Sequence, residues 1–180
     1  GNIINLSGEK GIGILYEVTD DSPVSSIAPI VNNAGIINSD QGIGIYILDN
    51  GNTGLKKLEN NNKINIMDGG FGIVLNSSIY NIADNLEIVN NGIIDNTDNS
   101  LERSFGIYSK NENLKVSGTG SIKVSSVSKN IGLYVNQGEV EFNSNIELGE
   151  GGIGVYLNGS ADNTVKTTLR IGITGNEITQ

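Results

Sequence analysis

A short glycine-centred phrase returns six times along this chain of 180 residues, and that return excludes most of the ways a chain of its length can fold. It reads Gly11-Ile12-Gly13-Ile14-Leu15-Tyr16, Gly42-Ile43-Gly44-Ile45-Tyr46, Gly70-Phe71-Gly72-Ile73-Val74, Ser104-Phe105-Gly106-Ile107-Tyr108, Asn130-Ile131-Gly132-Leu133-Tyr134 and Gly152-Ile153-Gly154-Val155-Tyr156. The central glycines, 13, 44, 72, 106, 132 and 154, are separated by 31, 28, 34, 26 and 22 residues. A unit of that size cannot bury an apolar face by itself and becomes stable only when copies lie above and below it.

Each phrase alternates with period two, the pattern of a half-buried strand. Alternation predicts that Ile12, Ile43, Phe71, Phe105, Ile131 and Ile153, one place before the glycine, share the core face with Ile14, Ile45, Ile73, Ile107, Leu133 and Val155, one place after it. Ile47, Leu75, Val135 and Leu157 continue that face, with Ser109 as the exception. By the same parity the glycines and Tyr46, Tyr108, Tyr134 and Tyr156 point outward. Two readings of the tyrosines stand side by side: an exposed stripe that stacks on sugars or a partner, or rings that lie over the bare glycines as in aromatic rescue.

A second strand precedes the phrase, in Ile4 and Leu6, Ile64 and Ile66, Ile122 and Val124, Ile146 and Leu148, with Gly35-Ile36-Ile37 and Gly92-Ile93-Ile94 as looser copies. A third follows it, in Leu55 and Leu58, Leu86 and Ile88, Leu114 and Val116, Val140 and Phe142. Asparagine and glycine occupy the joints, where positive φ is tolerated. The composition agrees, with 27 Asn, 27 Ile and 25 Gly against two prolines. Three strands and three corners in roughly 28 residues describe one coil of a parallel β-helix. A hairpin array would show two-residue Asn-Gly loops between the strands of one unit, and a left-handed hexapeptide helix would show a period of six. The expectation is an all-β solenoid of about six coils spanning residues 1–180, a segment of a longer array without separate domains.

Charge and chemistry narrow the function classes. A formal charge of −9 argues against nucleic acid, which demands clustered Lys and Arg. With no His and no Cys, a Ser-His-Asp or Cys-His site and the common zinc sites are excluded. Carboxylate chemistry remains, and its candidates, Asp20 with Asp21, Asp49, Asp68, and Asp95 with Asp98, fall in corners rather than in a column on the strand faces. Gly11-Ile12-Gly13 lies inside a strand with no helix after it, so it is not a phosphate loop. The expectation is therefore no enzyme, no cofactor and no metal.

The variable connections are where a stack of this kind would place a binding site. The candidates are the proline-bearing excursion with Asp20, Asp21, Ser22 and Pro23, the turn with Asp49 and Asn52, and the stretch with Asp98 and Arg103.

The repeated Gly-Ile-Gly-Ile-Tyr, followed by an Asn/Gly corner and an Ile-x-Ile strand, resembles the passenger region of type V autotransporters, in particular the Ile/Asn/Gly-rich outer-membrane adhesins of fusobacterial type. The resemblance runs from about Ile3 to Ile173. It implies a right-handed parallel β-helix outside the cell, held at the outer membrane by a C-terminal β-barrel that is not in this sequence. It also implies attachment to host receptors, glycans or other bacteria. No family motif maps onto a residue here. The other classes to weigh are a fragment of a β-helical polysaccharide-active enzyme or phage-type depolymerase, and an inert spacer.

Overall fold

In the computed structural model, residues 2–8, 10–18, 30–49, 57–77, 85–110, 113–125, 128–158, 167–172 and 178–179 are described. They form strands and turns, with no helix among them, and the described strands pair in parallel. Three columns of strands wind into a β-solenoid. The phrase column holds β2 (Ile12–Val18), β5 (Ile43–Asp49), β8 (Phe71–Ser77), β11 (Phe105–Lys110), β13 (Ile131–Asn136) and β15 (Ile153–Asn158).

The column before the phrase holds β1 (Ile3–Leu6), β4 (Ile36–Asp40), β7 (Lys63–Met67), β10 (Ile93–Asn96), the second halves of β12 (Asn113–Val124) and β14 (Gly138–Leu148), and β17 (Ile178–Thr179). The column after it holds β3 (Ile30–Asn33), β6 (Lys57–Asn60), β9 (Asn85–Asn90), the first halves of β12 and β14, and β16 (Thr167–Ile171). In β12 the two columns join through a register shift between Ser117 and Ser121.

Three strands per coil and parallel stacking are as the sequence predicts. The number of coils is smaller: the structure amounts to about 4 turns. Six phrase strands lie in the column, but β2 and β15 are its outer rungs, and only the four strands between them are flanked on both sides.

The core is a set of aliphatic columns running along the axis. Ile45, Ile73, Ile107 and Leu133 are in register and fully buried. So are Ile37, Ile64, Ile94, Ile122 and Ile146 from the preceding column. Leu58, Ile88, Val116 and Phe142 close the third side. Burying one such side chain contributes about 2 kcal/mol, and each touches copies in both neighbouring coils.

Simple parity fails at the glycine. A Cβ on Gly44 would lie 3.2 Å from Ile64 Cγ2 and 3.5 Å from Ile37 Cγ2, so the central glycine faces the core, as does the fully buried Ile45 beside it. Two successive inward positions make a kink of the bulge type, and the ladder pairs Ile43 with Phe71 and Ile45 with Ile73 but passes over the glycines between them. Ile12, Ile43, Phe71, Phe105 and Ile153 are consequently not core residues; they sit part-exposed on the outer wall beside the tyrosines. Of that set only Ile131 is buried.

The reason for glycine is the neighbouring coil. The Cβ position of Gly13 lies 2.6 Å from the carbonyl oxygen of Gly44, that of Gly44 2.7 Å from Gly72 O, that of Gly72 2.6 Å from Gly106 O, that of Gly106 2.6 Å from Gly132 O and that of Gly132 2.7 Å from Gly154 O. Each coil's carbonyl fills the space that a side chain on the previous coil would need.

Candidate binding surfaces

The tyrosine column takes a form that neither sequence reading anticipates. Tyr108 and Tyr134 stack with ring centroids 4.8 Å apart and planes within 6°, and Tyr134 and Tyr156 with centroids 5.3 Å apart and planes within 5°. Phe71 and Phe105 stack likewise at 4.9 Å, and Phe105 meets Tyr108 and Tyr134 edge-on. Because the glycines face inward, the rings do not cover them, and the aromatic-rescue reading is corrected. The sugar-stacking stripe is interrupted at Tyr134, since a sugar needs a ring face and both faces of Tyr134 lie against Tyr108 and Tyr156. Burial raises the Tyr108 phenol above its ordinary range, as does neighbouring Tyr134, against a hydrogen bond from Asn136.

A ladder that holds coils together carries more stability than surface cover would. Tyr134→Ala removes two stacked contacts and one edge-on contact, so it is expected to destabilise the fold by about 2 kcal/mol. Urea denaturation followed by circular dichroism measures this. A change below about 0.5 kcal/mol, the range of an ordinary surface substitution, would reduce the rings to cover.

Asparagines make two more ladders at the joint between the third column and the next coil. Inside the corner Asn33 Nδ2 donates to Asn60 Oδ1 at 2.8 Å, and Asn60 Nδ2 to Asn90 Oδ1 at 2.8 Å, all three side chains being buried. Outside it Asn61 Nδ2 donates to Asn32 Oδ1 at 3.1 Å and Asn91 Nδ2 to Asn61 Oδ1 at 2.9 Å, and the Thr119 amide ends the series on Asn91 Oδ1 at 3.4 Å. Beside the outer ladder runs an open groove of about 550 Å³ that crosses four coils. Asn61 and Asn62 line it in one coil, Asn91 and Ile93 in the next, Thr119 and Ser121 in the third, and Asn145 and Glu147 in the fourth. The strand-face charges at its border are paired between coils, Lys63 with Asp95 at 2.9 Å and Lys123 with Glu147 at 3.4 Å. Burial works against ionisation of Asp95, but hydrogen bonds from Thr97 and Lys63 outweigh it and hold its carboxyl below the ordinary range.

The loop residues expected from sequence fare unevenly. Asp20, Asp21, Ser22, Pro23 and Asn52 lie outside the described residues, and Asp49 ends β5 with its side chain likewise outside them. Asp98 and Arg103 share the long connection after β10 but are tied in opposite directions along the axis. The Asp98 carboxylate accepts the Asp68 amide at 3.0 Å from the coil before, whereas the exposed Arg103 donates its Nε to Ser128 O at 3.5 Å in the coil after. Asp98 also borders a smaller groove of about 310 Å³ with Asn38, Asn65, Met67 and Asp95.

Buried asparagines anchor this connection. Asn130 Oδ1 accepts the Ser104 amide at 3.0 Å and its Nδ2 donates to Asp98 O at 3.1 Å, while Asn96 Nδ2 reaches Ile131 O at 3.0 Å. Sequence reasoning placed Asn at the joints but missed the groove, because it is made by residues from four separate coils. The available signal was the recurrence of a second Asn, or Thr, at each of those joints.

Among the described residues no group of three or more acidic side chains is placed to hold a metal ion. Comparison of the chain with family models, curated proteins and solved structures finds no match.

Proposed function

We propose that this chain is part of an extracellular attachment protein, a β-helical stalk segment whose corner groove and loops engage glycans on host cells or on other bacteria. The observation that carries the reading is the groove crossing four coils beside the Asn32–Asn61–Asn91 ladder. Its lining offers amide and hydroxyl groups at the spacing of successive strands, about 4.8 Å. Asn91 keeps one N–H and one oxygen lone pair beyond its ladder bonds, whereas the second N–H of Asn61 is directed to Glu59 Oε2 at 3.4 Å. Because the ladder already fixes these side chains, little rotamer freedom is lost when a ligand arrives.

The chemistry favours a neutral, extended chain of hydroxyl-bearing units. The border charges are neutralised by their partners, and the overall charge of −9 repels an acidic polymer. Ile93 with Gly92 and Gly120 provides an apolar floor for sugar C–H groups. The resemblance to autotransporter passengers supports the same reading, including anchorage by a β-barrel beyond this sequence and an extracellular place.

Glycan-array and cell-binding measurements test it. The triple variant Asn61→Ala, Asn91→Ala, Thr119→Ala is expected to keep its strand content by circular dichroism and to lose about tenfold or more in affinity, the cost of roughly 1.4 kcal/mol of polar contacts. Asp98→Ala with Arg103→Ala should leave groove binding unchanged. Binding carried by the loop pair and not by the triple variant would move the site to the long connection, and no binding to any glycan or cell would leave a spacer.

A further inference from the structure

We propose that the outer wall of the phrase sheet is a docking surface for a second copy of this chain, two stacks meeting face to face along it. Two columns of side chains make that wall, one running from Ile12 to Ile153 and the other from Leu15 to Tyr156, and both are aliphatic or aromatic at every rung. Most of these side chains are part-exposed, and Ile12, Leu15 and Tyr156 are 39%, 52% and 43% exposed. A contiguous apolar face of this extent on the outside of a protein marks an interaction surface.

Charge decides what the face accepts. The other two walls carry ions: Lys57, Glu87, Lys115, Glu141 and Arg170 follow one another in register on one, and Asp95, Lys123 and Glu147 on the other. On the phrase wall the charged side chains, among the described residues, are Glu17 and Lys110, both in the column at its rim and opposite in sign. With a net charge of −9, two copies of the chain repel each other. They approach at least cost through the wall that is locally neutral.

The footprint suits a dimer. The sheet's 6 rungs span about 24 Å along the axis, and a phrase strand of 6 or 7 residues spans about 20 Å across it. Each copy therefore offers about 500 Å², and two copies cover about 1,000 Å² together, the size at which a specific interface begins. Two sheets packed face to face, as in a sandwich, bury such walls. The surface is also fixed before docking, because Tyr108, Tyr134 and Tyr156 stack along the axis and Asn76 Nδ2 donates to the Tyr46 hydroxyl at 2.9 Å. Little rotamer freedom is lost on association. The corner groove lies at the joint of the other two walls, so the dimer leaves it open.

Sedimentation equilibrium of the 180-residue chain, from about 1 μM to about 1 mM, tests this. The expected result is a reversible dimer with a Kd of about 10 μM, which tightens as NaCl is added because salt screens the repulsion between copies. Ile12→Glu with Leu15→Glu puts charge at exposed positions of the wall, so the thermal midpoint should stay within a few degrees of the parent while Kd rises about tenfold or more. Tyr156→Glu, at the other end of the wall, should weaken the dimer in the same way and reads the same face should the double variant fail to fold. Leu101→Glu, 93% exposed in the long connection and off the wall, should leave Kd unchanged. A chain that stays monomeric at about 1 mM, or a dimer that the folded wall variants leave intact, would overturn the proposal. So would association that Leu101→Glu weakens as much as the wall variants do, or association that salt weakens, which would assign the contact to the charged walls.

Discussion

Ile107→Asp is expected to abolish cooperative folding of the stack. Ile107 is fully buried, in register with Ile73 in the coil before and Leu133 in the coil after, and the described residues around it in the core are aliphatic. A carboxylate there has no cation to pair with, and an uncompensated buried charge costs about 3 to 5 kcal/mol or more. That is a large part of the 5 to 15 kcal/mol by which a domain is ordinarily stable. The damage also spreads, because stability in a solenoid resides largely in contacts between neighbouring units. Ile107→Val is the control and should cost about 1 kcal/mol. Chemical denaturation followed by circular dichroism distinguishes the two, and an Asp variant melting as the Val variant does would mean that the column is wet.

Gly72→Ala has the second largest expected effect, although it adds only a methyl group. That methyl would lie 2.6 Å from Gly106 O, 2.9 Å from Ile66 Cδ1 and 3.2 Å from Ile94 Cγ2. The isoleucine side chains can adjust, but the carbonyl belongs to the backbone of the adjacent rung and moves only if the column opens. Overpacking of this kind costs about 1 to 3 kcal/mol, and the rigid obstacle places Gly72→Ala at the upper end. A denaturation midpoint within error of the parent would show that the coils are looser than the structure has them. Gly72 needs no unusual backbone angle, so the cost is one of space between coils rather than of φ.

Much of the architecture was legible in single residues. Ile64 with Ile66, and Ile122 with Val124, stand on one face because side chains alternate along any strand, and the structure buries all four. The phrases fell into one column because each is the same strand of its coil. Alternation misled at the glycine itself: Phe71 and Phe105, expected in the core, stack on the outer wall instead. Ser109 shows the same limit from the other side. It interrupts an aliphatic column, and the structure buries its hydroxyl completely with no hydrogen-bond partner among the described residues.

The binding surfaces were less legible. The variable intervals drew attention to Asp98 and Arg103, yet their connection is bound to both neighbouring coils through Asn96, Asn130, Asp68 and Ser128. The groove beside Asn61 and Asn91 comes from residues some 30 positions apart. No local pattern announces it.

By itself the sequence determined that the chain stacks, that each coil has three parallel strands, and that the residue after each central glycine lines the core. Those properties follow from period-two alternation and from the recurrence of the phrase, both of which are local. The folded stack alone settles which way the glycines face, that Tyr108, Tyr134 and Tyr156 stack on one another, and which corner forms a groove. Each of these depends on what the adjacent coil places within contact distance. That depends on register and on the inward kink of the wall, neither of which one coil specifies alone.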